Sequence, residues 1–213
     1  MPSKTINVLI ADDHELIRSG IKYILAEAAD IRVVGEAADG LEATKVAEKV
    51  QWDVAILDVN MPRRNGIDVL KFMHATWPKR GILILSIYPE AQYAVRAIES
   101  GASGYLSKQS VSAELVKAIR HVSRGGKFIT PGIAELLACA LGSRQRESGD
   151  TLSNRELQVL MLIASGKPLV QVADLLNLDV STVSVYRRRV LNKLGLDSTS
   201  ELIRYGIENG LVE

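Results

Sequence analysis

Val54-Ala55-Ile56-Leu57-Asp58, followed by Val59-Asn60-Met61-Pro62, is an apolar run that stops on a carboxylate and breaks into a loop. Upstream, Val8-Leu9-Ile10-Ala11 ends the same way in Asp12-Asp13; downstream, Ile82-Leu83-Ile84-Leu85 ends in Ser86, and Gly104-Tyr105-Leu106-Ser107 ends in Lys108. Short Val/Ile/Leu-rich runs with little polar alternation are the pattern of strands buried on both faces of a parallel sheet. In such a sheet the carboxyl ends of the strands line one crevice, where ligands bind. Three carboxylates, a hydroxyl and an ammonium gathered there suit a divalent cation and a phosphoryl group.

The stretches between these runs have helical periodicity. The first 125 residues alternate strand and helix five times. Strands are expected near Ile6–Ile10, Arg32–Ala37, Val54–Leu57, Ile82–Leu85 and Gly104–Leu106. Amphipathic helices are expected near His14–Ala28, Leu41–Val50, Ile67–Ala75, Gln92–Ser100 and Ser112–Arg124. Repeated βα units predict a five-stranded parallel sheet wound with helices on both faces, an α/β domain over residues 1–125. Residues 126–150 read as a linker: a short apolar helix from Ile133 to Leu141, then the polar, aperiodic run from Gly142 to Asp150. The single Cys139, on that helix, is expected to be packed and inert.

Residues 151–213 show only helical periods and predict a small all-α domain of four helices. Ser153 and Glu156 form a capping-box pattern ahead of Leu157, Leu160, Met161 and Ala164. A short helix over Leu169–Leu176 is followed by a longer one from Val180 to Leu194, with Asp179 as its N-cap and Gly195 as its stop. A last helix covers about Ser200–Glu208, and its Leu202, Ile203 and Ile207 form an expected pairing surface. Two helices joined by a tight turn, the second longer and basic, make a helix-turn-helix.

Charge is informative only locally. The 213-residue chain has a formal net charge of +1, and its tail has seven Lys/Arg against seven Asp/Glu. Yet Val180–Leu194 carries Arg187, Arg188, Arg189 and Lys193 and no acid. On a helical wheel Val183, Tyr186, Val190 and Leu194 face one way. Ser181, Ser184, Val185, Arg188 and Asn192 face the other way, with Arg187 and Arg189 flanking; Thr182 is a further expected DNA contact. This suits a helix laid in a major groove, with Arg188 toward bases and the flanking pair Arg187 and Arg189 toward phosphates; Lys193 is a further expected DNA contact. One cysteine excludes a disulfide framework within the chain. No run of about 18 apolar residues or signal-peptide pattern is present, so the expectation is a cytoplasmic protein with no membrane partner.

Both halves together resemble two-component response regulators of the NarL/FixJ type, a receiver domain joined to a LuxR-type helix-turn-helix. The receiver resemblance rests on Asp12, Asp13, Asp58, Ser86, Tyr105 and Lys108. The DNA-binding resemblance rests on Leu152-Ser153-Asn154-Arg155-Glu156, Thr182-Val183 and Lys193-Leu194-Gly195. The resemblance implies a flavodoxin-like receiver in which Asp58 accepts a phosphoryl group from a sensor histidine kinase. It implies Mg²⁺ held by Asp13, Asp58 and the backbone carbonyl of Asn60, with Asp12 acting largely through water. Lys108 and Ser86 would contact the phosphoryl oxygens, and Ser86 with Tyr105 would form the switch. Promoter DNA, a homodimer when phosphorylated or DNA-bound, and RNA polymerase are the implied partners.

Each of these residues has an ordinary reading when taken singly. Asp12-Asp13 could cap a helix, Ser86 and Lys108 could be surface polar groups, Tyr105 a packed aromatic, and the arginine run a solvated face. Their joint placement at four strand ends is what favours a site. His14, His74 and His121 look isolated, with no metal constellation. Four features depart from the family pattern: Ile87 where a small residue is common, Arg63-Arg64 after the Asp58 strand, Pro168 at the start of the second tail helix, and Ser184 and Val185 where basic or polar residues are frequent. The competing readings are a DNA binder with a degenerate receiver and an aspartyl phosphatase. The second lacks its Asp-x-Asp pattern, because Asp58 is followed by Val59-Asn60.

Overall fold

The computed structural model describes residues 5–86, 90–108, 111–143 and 152–212, which divide into two compact units, Met1–Arg144 and Gln145–Glu213. The first unit alternates β1 (Ile6–Ala11), α1 (Glu15–Ala26), β2 (Ile31–Ala37), α2 (Gly40–Lys49), β3 (Val54–Asp58), α3 (Gly66–Thr76), β4 (Gly81–Ser86), α4 (Glu90–Glu99), β5 (Gly104–Ser107) and α5 (Val111–Val122). All four strand pairings are parallel, in the order β2-β1-β3-β4-β5. The order reverses between β1 and β3, so these two strands diverge into a crevice at their carboxyl ends. Every element lies within a few residues of its expected place.

Period-two alternation divides the core. Val8, Ile10, Ile56, Leu83, Leu85 and Leu106 join Ile21 and Leu25 of α1 and Leu115, Ile119 and Val122 of α5 in one cluster. The alternate residues Leu9, Ala55, Leu57, Ile82 and Ile84, equally buried, belong to the opposite face, where α2, α3 and α4 lie. β3 and β4 are buried along their whole length. Removing each Leu, Ile or Val from water contributes about 1.5–3 kcal/mol, so the register that places Asp58 at a strand end is held by the residues before it.

A sixth helix, α6 (Pro131–Ser143), covers the short apolar helix expected at Ile133–Leu141. It contacts α4 and belongs to the first unit. The chain leading to it is tied back to the sheet, with Phe128 N–H donating to Ser103 O at 2.7 Å and Lys127 Nζ to Ala102 O at 2.6 Å. Cys139 is exposed rather than packed. Ile87 and residues 144–150 of the expected linker lie outside the described residues.

The second unit holds α7 (Asn154–Ala164), α8 (Leu169–Leu176), α9 (Val180–Leu194) and α10 (Thr199–Glu208). Ser153 and Glu156 form the expected capping box at the start of α7. Asp179 occupies the N-cap position of α9, but its side chain makes no capping hydrogen bond. The tight turn between α8 and α9 is made by Asn177 in a left-handed conformation, φ +50°, which its short polar side chain tolerates better than most. The unit's core is Val159, Leu160, Val172, Val183, Val190 and Leu202, each fully buried. Leu202 is therefore unavailable as a pairing residue, leaving the half-buried Ile203 and the exposed Ile207 on that helix.

Candidate functional site

The crevice between β1 and β3 brings together the carboxylates expected there. Asp12 and Asp58 are buried, with side chains 2% and 3% exposed, and Lys108 at the end of β5 reaches both. Its Nζ lies 2.7 Å from Asp12 Oδ2 and 3.1 Å from Asp58 Oδ2. Lys108 N–H also donates to Ser86 O at 2.8 Å, which ties the exits of β4 and β5 together. Ser86 is buried one residue beyond Leu85, the β4 partner of Asp58. Tyr105 is fully buried in the middle of the β5 segment.

Electrostatics in this site are unbalanced. One ammonium faces three carboxylates, because Asp13 joins Asp12 and Asp58. At an effective dielectric near 20, a unit charge pair about 3 Å apart is worth roughly 5 kcal/mol, so each uncompensated carboxylate matters. Burial pushes the Asp58 carboxyl from its ordinary value of 3.8 up to about 7; Asp12 and Asp13 add to the rise and Lys108 opposes it. For Lys108, burial favours the neutral amine, but the carboxylates of Asp58 and Asp12 outweigh it and hold the ammonium above its usual range. Lys108 Nζ is the cation beside both Asp12 Oδ2 and Asp58 Oδ2, and with Asp13 at the same pocket the carboxylates outnumber it. A hard divalent cation would offset that excess, since Mg²⁺ prefers carboxylate and carbonyl oxygen. The donor set fits.

The surrounding chain holds the carboxylates by specific contacts that the sequence did not disclose. Arg18, on the second turn of α1, donates from Nη1 to Asp12 O at 2.7 Å. Lys22 donates to Glu36 at 2.9 Å, and Arg18 Nε lies 3.7 Å from the same carboxylate. Asn65 caps α3 through Ile67 N–H at 2.8 Å. Gly66 follows it, and a Cβ there would collide with the main-chain carbonyl of Asp58; a larger residue would push the β3–α3 loop off the strand that carries the candidate phosphoacceptor. Arg63, in the left-handed region at φ +62°, pairs with Asp39 at 3.3 Å, linking the same loop to the start of α2. This accounts for one of the two unusual arginines. The other, Arg64, lies over the Phe72 ring at 5.1 Å.

His14 overturns the expectation of isolated histidines. Its Nδ1 lies 2.8 Å from Asp13 Oδ1 and 3.2 Å from Asp12 Oδ1, and its backbone N–H donates to Asp12 Oδ1 at 2.9 Å. The signal was present: a residue two after an aspartate, where the chain turns into a helix, is within reach of that carboxylate.

On α9 the expected inward face is confirmed. Val183 and Val190 are buried, and Tyr186 and Leu194 half-buried. Ser181, Val185, Arg188, Arg189 and Asn192 are exposed, and Thr182 and Ser184 half-buried. Two of the expected DNA-contact residues, Arg187 and the exposed Lys193, also have partners within the domain. Arg187 is half-buried, with Nη1 3.4 Å from Thr199 Oγ1 on α10. Lys193 Nζ lies 2.8 Å from Oε2 of the buried Glu156, so α9 is anchored to the capping box of α7. For Glu156, burial raises the carboxyl's pKa, but the Lys193 and Ser153 hydrogen bonds outweigh this and hold it below its usual range.

The response regulator receiver domain description matches residues 8–120, and that of the LuxR family of bacterial regulatory proteins matches residues 150–206. Response regulator GacA of Pseudomonas aeruginosa is 34% identical over 210 residues, covering 98% of each chain. Among solved structures, RcsB of Salmonella enterica serovar Typhimurium, bound to promoter rprA in the presence of a phosphomimetic, matches with a TM-score of 0.63 and 26% identity, over 95% of this chain and 98% of that one. A structure of two RcsB dimers bound to two parallel DNAs matches with a TM-score of 0.59 and 27% identity, again over 95% and 98%.

Proposed function

The chain belongs to the NarL/FixJ family of two-component response regulators, and from that premise we propose that Asp58 is its phosphoacceptor and that α9 reads promoter DNA. The observation that carries the first half is the buried cluster of Asp12, Asp13, Asp58 and Lys108 at the divergence of β1 and β3. Residues 1–125 carry the phosphoacceptor chemistry, 126–150 connect, and 151–213 bind DNA; the packing of α6 on α4 supports extending the receiver unit into the connecting region.

The reaction is an in-line transfer. A carboxylate oxygen of Asp58 attacks phosphorus, the bond to the donor nitrogen of a kinase phosphohistidine breaks, and an acyl phosphate forms on the protein itself. The residues that would hold Mg²⁺ are Asp13, Asp58 and the Asn60 carbonyl, with Asp12 beside them. Bound there, the cation would keep Asp58 ionised and neutralise charge on the transferring group. Lys108, already between Asp12 and Asp58, turns from its carboxylate partners to a phosphoryl oxygen. The Ser86 hydroxyl donates to another. The modification adds roughly −1.5 to −2 charge, and the loop after β4 with Tyr105 is the element it biases.

For DNA, Ser181, Thr182, Ser184, Val185, Arg188, Arg189 and Asn192 form the contact face. Arg187 and Lys193 act mainly by positioning the helix, because their side chains are held by Thr199 and Glu156. Phosphorylation favours a homodimer, with Ile203 and Ile207 of α10 available for pairing on DNA. A sensor kinase upstream and RNA polymerase downstream complete the proposed circuit. No described helix is long and apolar enough to cross a membrane, in keeping with a cytoplasmic setting.

The test is incubation of the full chain with acetyl phosphate and Mg²⁺, followed by intact mass and promoter titration. The wild type should gain one phosphoryl group and bind DNA more tightly; Asp58→Ala should do neither. Equal DNA affinity with and without the phosphoryl group would favour the degenerate-receiver reading.

A further inference from the structure

β5 is the outermost strand on its side of the sheet, and the chain returns after α5 to cover the start of its edge. Phe128 lies as a parallel bridge beside Gly104, and its N–H donates to Ser103 O at 2.7 Å. Gly104 is required by that approach: a Cβ there would stand 2.6 Å from Phe128 O and 2.9 Å from Leu83 Cδ2. One residue earlier, Lys127 Nζ donates to Ala102 O at 2.6 Å. The loop between α4 and β5 is therefore bonded twice to the segment that leads into α6.

α6 itself completes the attachment. Thr130 Oγ1 accepts from Ile133 N–H at 3.3 Å at its start. Ile133 is fully buried, and Leu136 and Leu137, three and four residues on, are half-buried on the same side of the helix. The helix that α6 contacts is α4. Residues 127–133 are thus fixed both to the α4–β5 loop and, through α6, to α4. These are the elements that follow Ser86, carry Tyr105 and lead to Lys108. Close-packed interiors pass a displacement to their neighbours rather than absorb it, so a shift of α4 or of β5 cannot leave α6 behind.

We propose that residues 127–133 and α6 form a strap that carries the state of the phosphoacceptor out of the receiver, with Lys127, Phe128 and Ile133 as its coupling residues. When the acyl phosphate on Asp58 engages Ser86 and Lys108, α4 and β5 shift and α6 shifts with them. Among the described elements α6 is the one that precedes α7, so its displacement is delivered to the chain entering the DNA-binding unit. Coupling of this kind runs through packed side chains and hydrogen bonds that have two arrangements. The inference rests on the reading of Asp58 as phosphoacceptor and adds the residues that transmit its output.

The experiment uses the one cysteine of the chain, Cys139, which is exposed on α6. The full chain, labelled there with an environment-sensitive thiol dye, is incubated with acetyl phosphate and Mg²⁺ while intact mass follows phosphoryl uptake. Emission should change in step with uptake in the wild type and stay constant in Asp58→Ala. In parallel, promoter affinity of unlabelled protein is measured with and without the phosphoryl group. Lys127→Met, a change at an exposed side chain, and Ile133→Ala should both take up the phosphoryl group. The ratio of phosphorylated to unphosphorylated affinity should nevertheless fall about three- to tenfold in each, and the dye response should shrink. The ratio separates lost coupling from a damaged fold, because damage that weakens both states equally leaves it unchanged. A wild type that is phosphorylated with no change in emission, or two variants whose ratio stays within about twofold of the parent's, overturns the proposal and leaves the phosphoacceptor reading intact. A wild type that gains no phosphoryl group removes both.

Discussion

Asp58→Asn should make the apoprotein more stable, and increasingly so as pH rises. Burial, with Asp12 and Asp13, raises the Asp58 carboxyl from 3.8 to about 7. A carboxyl whose folded value lies above its unfolded one contributes most favourably when protonated. That contribution is complete below the unfolded value and has been lost once pH has risen through the folded one. Three units at 1.36 kcal/mol each put the loss at roughly 4 kcal/mol at about pH 8, a figure that includes the attraction of Lys108. Asparagine has the same shape and no charge to strand, so the variant escapes the loss. The assay is urea denaturation in metal-free buffer from about pH 4 to 8. Both tryptophans, Trp52 and Trp77, lie in the receiver unit, stacked against Arg80 at 4.7 and 5.3 Å. Tryptophan emission from the full chain therefore follows that unit alone. The stability gap should be small near pH 4 and widen by about 3–4 kcal/mol by pH 8. Saturating Mg²⁺ should narrow it, because only the wild type retains the ligand set and gains binding energy. A gap independent of pH, or a variant less stable than wild type at pH 8, would refute the argument that unbalanced buried charge defines this pocket.

Arg188→Ala should cost about 1–3 kcal/mol at the specific promoter and relax its base preference, measured by titration of specific and scrambled duplexes; a uniform loss on both would make Arg188 a phosphate contact. Lys193→Met should destabilise the DNA-binding unit by about 1–3 kcal/mol by leaving Glu156 buried without its cation, read from the second helical melting transition; an unshifted transition would remove the anchoring role. Because the Glu156 carboxyl is held below its ordinary range, its stabilisation is present above that range and fades as pH falls through the lowered value. The wild-type advantage over Glu156→Gln should shrink accordingly on acidification. Gly66→Ala places a methyl group against the Asp58 carbonyl, so acetyl phosphate labelling should slow markedly and the receiver lose about 2 kcal/mol or more; normal labelling would mean the loop shifts without cost.

Strand positions and helix order were legible because they follow from short-range patterns. Val54–Leu57 must be buried whatever surrounds it, and its burial places Asp58 at a strand end. The capping box at Ser153 and Glu156 was legible for the same reason: both partners lie within one turn. Less visible were partners distant in sequence. Nothing in the order of residues says that Lys193 closes on Glu156, 37 residues away, that Arg63 reaches Asp39, or that Arg187 turns toward Thr199. Helical periodicity placed Arg187 only by its angle beside Arg188, because a wheel counts angle and not neighbours. Likewise the apolar helix at Pro131–Ser143 had a face to bury, but only the folded domain identified α4 as what covers it.

The amino-acid order alone determined the two-domain plan and the residues that end each strand, since periodic burial and capping act over a few residues. The tertiary structure decided which charges meet: how Lys108 divides between two carboxylates, how Asp58 comes to hold its proton to about pH 7, and how His14 joins the acidic pair. Coulombic and desolvation energies depend on separation and exposure in space, and both are set only when the strands and helices have come together.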